Sequence, residues 1–364
     1  MKNKEILGLF CELIQVALGK RDMLSRNPTA EEWGELFTMS QDQAITGVLL
    51  SVLDGLSKVG QKPPMEVLFE WIGLGEQIKG QNDLLNRRCL ELQEDFSKAG
   101  FKSCVLKGQG NAQLYPNPLL RQSGDIDIWV DGEIKDIIAY LSTKCNPEKL
   151  TNAYHHTDFP LWDDVPVEVH WRPSWRLSPV HNLRLQRWCK EQAPAQFAHV
   201  DQTTGIHVPT WEFNVVYLLQ HMYLHIFQEG LGLRQVMDYY YLLVSEKRGE
   251  TKDVKSTLKH LGLWRFAGEM MYVLREVFKL EEKYMIAPVD ETRGRALLRE
   301  ILLSGNFGQA DERNVALHQK QGIGRGVEKM KRQFRFLKDY PMEVLGAPSQ
   351  LYHVVWRKFR LWRF

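Results

Sequence analysis

Cysteine is scarce in this sequence and follows no pattern. The number of cysteines is odd, and no two of them are spaced as CxxC. This usage argues against a disulfide framework and against a structural zinc ion, and it favours a reducing compartment. We therefore expect a cytoplasmic protein. The five cysteines are Cys11, Cys89, Cys104, Cys145 and Cys189.

Long apolar runs and a large excess of one charge are also missing. No window reaches the roughly 18 apolar residues that a membrane span requires. The first twenty residues contain Glu5 and Glu12 within an apolar stretch of helical period, which predicts an amphipathic helix and no signal peptide. The formal net charge of +2 over 364 residues gives no bulk electrostatic argument for nucleic-acid binding.

The most informative stretch runs from Phe101 to Val130. The β-compatible residues Ser103–Leu106 are followed by a turn that contains Gly108, and this order predicts a strand leading into a short helix. Pro116 then ends that helix, because its ring lacks the donor that a helical hydrogen bond needs. A second strand follows over residues 124–130.

Two aspartates lie on this second strand. Side chains alternate between the faces of a strand, so Asp125 and Asp127 share one face while Ile126 and Ile128 share the other. Two carboxylates on one face repel each other unless a cation lies between them, and divalent metals commonly take that position. A solvated edge strand with two incidental acids is the alternative.

A third acid fits the same interpretation. Residues 155–171 predict a hairpin that turns at Asp163 and Asp164, and Glu168 lies in the middle of its return strand. If this strand neighbours the first, three carboxylates converge, which is enough to hold two metal ions about 3.5–4 Å apart for a phosphoryl or nucleotidyl displacement. An exposed hairpin face would explain Glu168 equally well.

These residues resemble a known superfamily. Lys107-Gly108, then Gly124-Asp125-Ile126-Asp127, then Val167-Glu168-Val169 are similar to the hG[G/S]…Dh[D/E]h…h[D/E]h pattern of the DNA polymerase β-like nucleotidyltransferases. More narrowly, the wording LKG…LYP…LRxxGDIDIWV resembles a bacterial group described as uncharacterised nucleotidyltransferases. By motif, the resemblance covers about a third of the chain.

The resemblance implies a small mixed sheet flanked by helices, a nucleoside triphosphate (NTP) as substrate, and two Mg²⁺ ions. The metal ligands and catalytic residues would be Asp125, Asp127 and Glu168. The residues expected at the nucleotide are Lys107, Gly108, Gln109, Arg121 and Gly124, with Lys107 and Arg121 neutralising phosphate charge. Gly108-Gln109 replaces the frequent Gly-Ser of the superfamily, so the serine hydroxyl that would contact the γ-phosphate is absent.

Further candidates follow the sheet. His221 and His225 are four residues apart on a predicted helix, and Arg234 and Asp238 have the same spacing on the next one, where we expect them to form an ion pair. The resemblance suggests that these four residues line the nucleotide or acceptor cleft. A zinc hydrolase using the two histidines is an alternative, although HMYLH lacks the glutamate of HExxH. Arg172, which closely follows Glu168, is a further phosphate candidate.

The predicted fold class is α+β, a nucleotidyltransferase-fold mixed sheet flanked by helical N-terminal and C-terminal regions. We divide the chain into a helical region (1–100), a nucleotidyltransferase-fold core (101–206), a second helical region (207–304) and a basic, aromatic tail (305–364). Within the tail, the stretch Val354–Phe364 could contact an anionic partner, or it could dock its aromatic side chains on the protein.

The function that we expect is the transfer of a nucleoside monophosphate from an NTP to an acceptor hydroxyl, with release of pyrophosphate. The sequence does not identify the acceptor. A non-catalytic nucleotide-binding or partner-binding protein that keeps the fold is the competing hypothesis, motivated by the missing serine.

Overall fold

A five-stranded mixed sheet carries the candidate residues. The computed structural model describes residues 4–315, 319–320 and 322–349. The strands lie in the order β1-β2-β5-β4-β3. Their bounds are β1 Ser103–Leu106, β2 Ile126–Val130, β3 Thr151–Asn152, β4 His156–Asp158 and β5 Val167–His170.

Strand β2 lies inside the sheet and fixes the register of its neighbours. It pairs antiparallel with β1, so that Val105 faces Ile128, and parallel with β5, so that Asp127 faces Glu168. Strand β4 then pairs antiparallel with β5, which confirms the predicted hairpin. The residues opposite each other on β2 and β5 therefore include two of the three predicted acids.

The helices before the sheet agree with the all-helical N-terminal prediction. Thr29 caps the second helix through a reciprocal capping box with Glu32. The apolar residues between positions 43 and 58 have helical spacing, and the chain forms two short helices there. The bounds are α1 Lys4–Ala17, α2 Ala30–Asp42, α3 Thr46–Leu50, α4 Leu53–Lys58 and α5 Met65–Lys98.

The remaining helices lie within and after the sheet region. The predicted helix from Trp211 to Gln228 is confirmed, with Thr210 as its cap. The bounds are α6 Gly108–Ala112, α7 Ile134–Leu141, α8 Pro179–Ala198, α9 Trp211–Gln228, α10 Leu233–Val244, α11 Thr251–His260, α12 Trp264–Phe278, α13 Glu291–Ser304, α14 Gly322–Phe334 and α15 Pro341–Gly346.

The two faces of the sheet have different neighbours. Ile126 and Ile128 of β2 share an apolar cluster with Phe96 of α5 and Ile137 of α7. On the opposite face, Trp129 stacks on Phe213 of α9 with ring centroids 5.7 Å apart. Because side chains alternate along a strand, Asp125 and Asp127 lie on the face of Trp129 and are directed toward α9.

The helices at the two ends of the chain share one apolar core. This core combines Phe10 and Trp71 from the N-terminal helices with Leu219 of α9 and Met270 of α12. The N-terminal helices are thus packed on the C-terminal helices, while the long helix α5 also covers the back of the sheet. Within the described residues, no helix is both long and apolar enough to cross a bilayer.

Part of the predicted basic tail lies outside the described residues, including all of Val354–Phe364. The part that the structure does describe is joined to the main body through a buried ion pair. Arg176, in the segment after β5, has Nη2 2.5 Å from Oε1 of Glu343 in α15, and both side chains are almost fully buried. Glu343 also accepts the backbone N–H of Ser178.

Breaking this pair should unfold the protein at lower temperature or denaturant concentration. In Arg176→Met, the Glu343 carboxylate stays buried without its principal counter-charge, and we expect a loss of about 3–5 kcal/mol of unfolding free energy. Chemical denaturation of the purified protein measures this loss. The matched control is Lys58→Met, which removes an exposed pair with Asp54 and should leave stability unchanged. Equal effects of the two substitutions would contradict the prediction.

Candidate active site

The three predicted acids lie close together on one face of the sheet. Asp125 immediately precedes β2, Asp127 lies within it, and Glu168 lies directly opposite Asp127 on the parallel strand β5. Parallel neighbours in register direct their side chains to the same face. Glu168 is therefore on the side of the sheet that faces α9, together with both aspartates.

Asp127 is buried and paired with two cationic side chains. Its Oδ1 lies 2.8 Å from Nζ of Lys107 and 2.9 Å from Nε2 of His170. Burial alone would raise the pKa of Asp127, but Lys107 and His170 outweigh it and hold this pKa well below its usual range. Asp127 is therefore ionised, and its charge is balanced by Lys107 and His170.

His170 connects two of the acids. Its Nε2 lies 2.9 Å from Asp127 and 3.3 Å from Oε2 of Glu168. Burial opposes protonation of the ring, yet these two carboxylates raise the pKa of His170 to about 9. The sequence analysis missed this residue, although the strand alternation that singled out Glu168 also puts His170 on the same face two residues later.

Asp125 differs from the other two acids because it has no partner. In residues 4–315 and the shorter described segments that follow, its carboxylate makes no hydrogen bond or ion pair. Burial, followed by the charge of Asp127, raises its pKa. An unpaired, poorly solvated carboxylate beside a second one fits the ligand set of a hard divalent cation such as Mg²⁺, which prefers carboxylate oxygens.

The turn after β1 brings the backbone close to these acids. Lys107 and Gly108 both have positive φ, at 48° and 37°. This conformation is uncommon for a residue with a side chain, and here it directs Lys107 toward Asp127. A Cβ at position 108 would make only an ordinary contact, 3.4 Å from the carbonyl oxygen of Asp125, so the positive φ and not the space is what favours glycine here. The turn therefore packs against the start of β2.

The side chain of Gln109 points away from the acids, contrary to the role expected for it at the nucleotide. Its Nε2 donates to Oδ1 of Asn86 on α5 at 2.6 Å, and the residue is buried. Gly108 and Gly124, by contrast, line the cavity beside Asp125. Any contact of Gln109 with a nucleotide would have to come from its backbone.

Asp238 forms its ion pair with a residue that the helical spacing did not predict. Both of its oxygens accept from Arg121, at 2.8 and 2.7 Å, and Tyr115 donates to it as well. The expected pair between Arg234 and Asp238 is therefore wrong. Arg121 and Asp238 are both almost completely buried, and the short two-point contact leaves Arg121 electrically compensated.

Arg234 is consequently the cation at this site without an acidic partner in the described part of the chain. Its Nη1 donates to the carbonyl of Gln122 at 3.1 Å, and its guanidinium lies 5.3 Å from the centre of the Phe307 ring. Burial, followed by the nearby charge of Arg121, lowers its pKa. An anion entering the cavity could contact Arg234 directly, whereas Asp238 and Asp125 act on it only at longer range.

The paired histidines of α9 also face the acids. His221 and His225 have their Nε2 atoms 2.9 Å apart, and burial lowers the pKa of His225 to about 3. They are therefore neutral rings that hydrogen-bond to each other. Among the described residues, no third His, Cys, Asp or Glu completes a metal-binding set with them, and this removes the support for a zinc hydrolase built on this pair. Arg172 packs on the ring of Tyr154.

Two adjoining cavities open on either side of the acids. The first is lined by the glycine turn, both aspartates, Arg121, Arg234 and Asp238. The second has a volume of about 310 Å³ and is lined by Glu168, His155, His156, His170 and His225. Both cavities include Lys107, Asp125 and His221 in their walls. A molecule in one cavity would therefore meet a molecule in the other at Asp125.

A mixed sheet with two acids on one strand, a third acid on its parallel neighbour and a glycine turn beside them defines a nucleotidyltransferase-like fold. The comparison with protein families agrees, because a family model described as an uncharacterised nucleotidyltransferase matches residues 29–279. The chain belongs to this family of uncharacterised nucleotidyltransferases. Neither the curated proteins nor the solved structures contain a match.

Removing the unpaired carboxylate should stabilise the metal-free protein. Asp125→Asn keeps the shape of the side chain but abolishes its repulsion with Asp127, so we expect the melting temperature in a chelator to rise by about 2 °C. Mg²⁺ should then stabilise the variant less than it stabilises the wild type. Differential scanning calorimetry with and without Mg²⁺ measures both effects. Asp131→Asn, at the exposed end of β2, is the control, and a lower melting temperature for Asp125→Asn in chelator would contradict the prediction.

Proposed function

We propose that this protein is a Mg²⁺-dependent nucleotidyltransferase, which moves a nucleoside monophosphate from an NTP to an acceptor hydroxyl and releases pyrophosphate. The observation that carries the proposal is the convergence of Asp125, Asp127 and Glu168 from two parallel strands onto one sheet face. Membership in a nucleotidyltransferase family supports the reaction class. The five cysteines are free, in keeping with a cytoplasmic location.

Asp125, Asp127 and Glu168 would hold two Mg²⁺ ions. When bound, these ions supply charge stabilisation at the reacting phosphate and lower the pKa of an acceptor hydroxyl. Asp125 is best suited to bind first, since its carboxylate is unpaired. Asp127 already contacts Lys107 and His170, so its contribution requires Lys107 to move its ammonium group toward another anion.

The triphosphate would lie at the first cavity, whose volume of about 30 Å³ requires its lining side chains to move apart before the phosphates can enter. Lys107, once released from Asp127, and Arg234 provide the positive charge there, while the turn at Gly108 allows close backbone approach. Arg121 would act mainly as a positioning residue, because its guanidinium group holds Asp238 in place and donates a hydrogen bond to Ser123. This assignment moves the principal role in phosphate neutralisation from Arg121 to Arg234.

The acceptor would enter the second cavity. Glu168 borders this cavity, and its carboxylate is held ionised mainly by His170, which outweighs the effect of burial on its pKa. An ionised carboxylate there can accept a hydrogen bond from the acceptor hydroxyl and orient it toward the α-phosphate. The acceptor oxygen would form the new bond to the α-phosphorus as the bond to the β-phosphate oxygen breaks.

A non-catalytic nucleotide-binding protein is the second candidate. The observation that favours it is the pair Gly108-Gln109, in which the residue at the position of the usual serine turns its side chain toward α5. Such a protein would bind an NTP with Mg²⁺ but release no pyrophosphate. The experiment on the acids separates the two candidates.

The three acids should be required for transfer. In Asp125→Ala, Asp127→Ala and Glu168→Ala, we expect at least about 10²–10³-fold less label transferred from an α-³²P-labelled NTP, because each substitution removes charge stabilisation of the transition state. Thermal shift first identifies the NTP that stabilises the wild type with Mg²⁺. Label transfer is then measured with sugars, RNA, proteins and a fractionated cell extract as acceptors.

Two controls make this measurement decisive. Asp163→Asn, in the exposed turn of the hairpin, should transfer label as the wild type does. A γ-³²P-labelled NTP should leave its label in pyrophosphate and not in the product. If an NTP with Mg²⁺ stabilises the wild type, yet no acceptor fraction yields pyrophosphate, the enzyme proposal fails and the binding-protein hypothesis takes its place.

Arg234 should contribute to NTP affinity more than to folding. A charge-assisted hydrogen bond contributes about 1.5–3 kcal/mol, so Arg234→Met should raise the Kd for the NTP with Mg²⁺ about 10- to 100-fold. Isothermal titration calorimetry measures this Kd. Arg121→Met is the matched comparison, since it should lower stability by leaving Asp238 buried and unpaired. An unchanged Kd for Arg234→Met would remove Arg234 from the triphosphate site.

A further inference from the structure

Three histidines meet in the wall of the second cavity. His155 immediately precedes β4, His156 begins β4, and His170 lies opposite His156 on β5. One ring nitrogen from each histidine lies within 4.8 Å of the corresponding nitrogen of the other two. The pairing of β4 with β5 therefore creates a cluster of imidazoles that neither the nucleotide nor the proposed Mg²⁺ ions require.

The hydrogen bonds of these rings leave two nitrogens without a partner. His170 uses Nε2 for the carboxylates of Asp127 and Glu168, whereas its Nδ1 is buried and makes no hydrogen bond in the described part of the chain. Nδ1 of His155 is buried and unpartnered in the same way. A buried polar atom without a partner costs about 1–3 kcal/mol, so Nδ1 of His170, the ring that joins the cluster to the acids, needs an explanation.

The contact between His155 and His156 points in the same direction. Nε2 of His155 and Nδ1 of His156 are 3.0 Å apart and form a hydrogen bond in the metal-free protein, which a bound ion would replace. Two ligand atoms bound at about 2.0–2.1 Å to one tetrahedral ion are separated by a similar distance. Nδ1 of His156 is also 3.7 Å from Oε2 of Glu168, so an oxygen ligand lies within reach of the same position.

We infer that His155, His156 and His170 form a second metal site, which binds one divalent transition-metal ion with the ligand preferences of Zn²⁺. Imidazole nitrogens favour such ions, whereas Mg²⁺ prefers oxygen. His170 would bind through Nδ1, which would release to solvent the proton that this nitrogen carries in the imidazolium form, while its Nε2–H donates to the carboxylates. A metal-bound histidine that donates its other N–H to a carboxylate is the usual arrangement around protein metal ions.

This site borders the proposed Mg²⁺ site at Glu168, but it does not depend on the proposed transfer reaction. Asp125, which is central to Mg²⁺ binding, contributes no ligand to it. The two sites are connected through His170, because the metal ion would fix the ring with its Nε2–H directed at Asp127 and Glu168. The second cavity leaves an open side on the ion, where a further ligand can bind.

The test measures metal binding by the full-length protein without any nucleotide. Protein stripped with a chelator is titrated with Zn²⁺ by calorimetry, and the visible spectrum is recorded after addition of Co²⁺. We expect one Zn²⁺ per chain and the intense absorption of four- or five-coordinate Co²⁺. His155→Gln and His156→Gln should each weaken Zn²⁺ binding more than about 100-fold, and Glu168→Gln should weaken it about 10- to 100-fold.

Matched controls separate this site from other histidines and from the Mg²⁺ site. His260→Gln, at an exposed position in α11, should bind Zn²⁺ as the wild type does. Asp125→Asn should also keep its Zn²⁺ affinity while losing stabilisation by Mg²⁺. Melting curves in chelator establish that each variant is folded before its affinity is compared.

Several results would overturn the inference. These are the absence of stoichiometric Zn²⁺ binding to the wild type, unchanged affinity in the doubly substituted protein His155→Gln/His156→Gln, or displacement of Zn²⁺ by millimolar Mg²⁺. If the histidine variants fail to fold, the Co²⁺ spectrum of the wild type decides. A weak, six-coordinate spectrum then contradicts the site, and an intense spectrum supports it.

Discussion

Three carboxylates on one sheet face repel each other, and the side chains around them are arranged to limit this repulsion. The in-register parallel pairing of β2 with β5 forces Asp127 and Glu168 together, and Asp125 adds a third negative charge two residues away. The surrounding side chains compensate the three negative charges to different degrees. Lys107 and His170 compensate Asp127, His170 also reaches Glu168, and Asp125 makes no ion pair within the described residues and receives only longer-range compensation from Lys107 and Arg234. The incomplete compensation is what makes the site suited to an added cation.

The surrounding helices shield the three acids from part of the solvent and hold them in position. Helix α9 covers the acidic face and is itself buried along most of its length, so it presents His221 and His225 as neutral rings. Helix α10 contributes Asp238, whose contact with Arg121 fixes the loop that leads into β2. Packing of the N-terminal helices on the C-terminal ones then holds α9 and α10 against the sheet. The helical regions thus act as the second wall of a cleft whose first wall is the sheet.

The features that depend on local periodicity could be predicted from the sequence. Alternation along β2 and β5 was sufficient to put Asp125, Asp127 and Glu168 on common faces. Pairings between distant residues were beyond such reasoning. Asp238 binds Arg121, which is 117 positions away, in preference to Arg234 one helical turn before it. The environment of Gln109 and the orphaned nitrogens of His155 and His170 likewise depend on tertiary packing. The family pattern therefore identified the three acids. The side chains that contact these acids could be identified only in the folded structure.

The ammonium group of Lys107 has a consequence for how the protein is supplied with metal. Because this side chain already neutralises Asp127, the charge of that carboxylate is balanced with no ion bound. The same internal counter-ion would compete with any cation that approaches Asp127, and this competition would weaken binding of the cation there. A nucleotide that arrives with its own magnesium offers the lysine a new anion at the moment the carboxylate is vacated, which would make loading of metal and nucleotide a single concerted exchange.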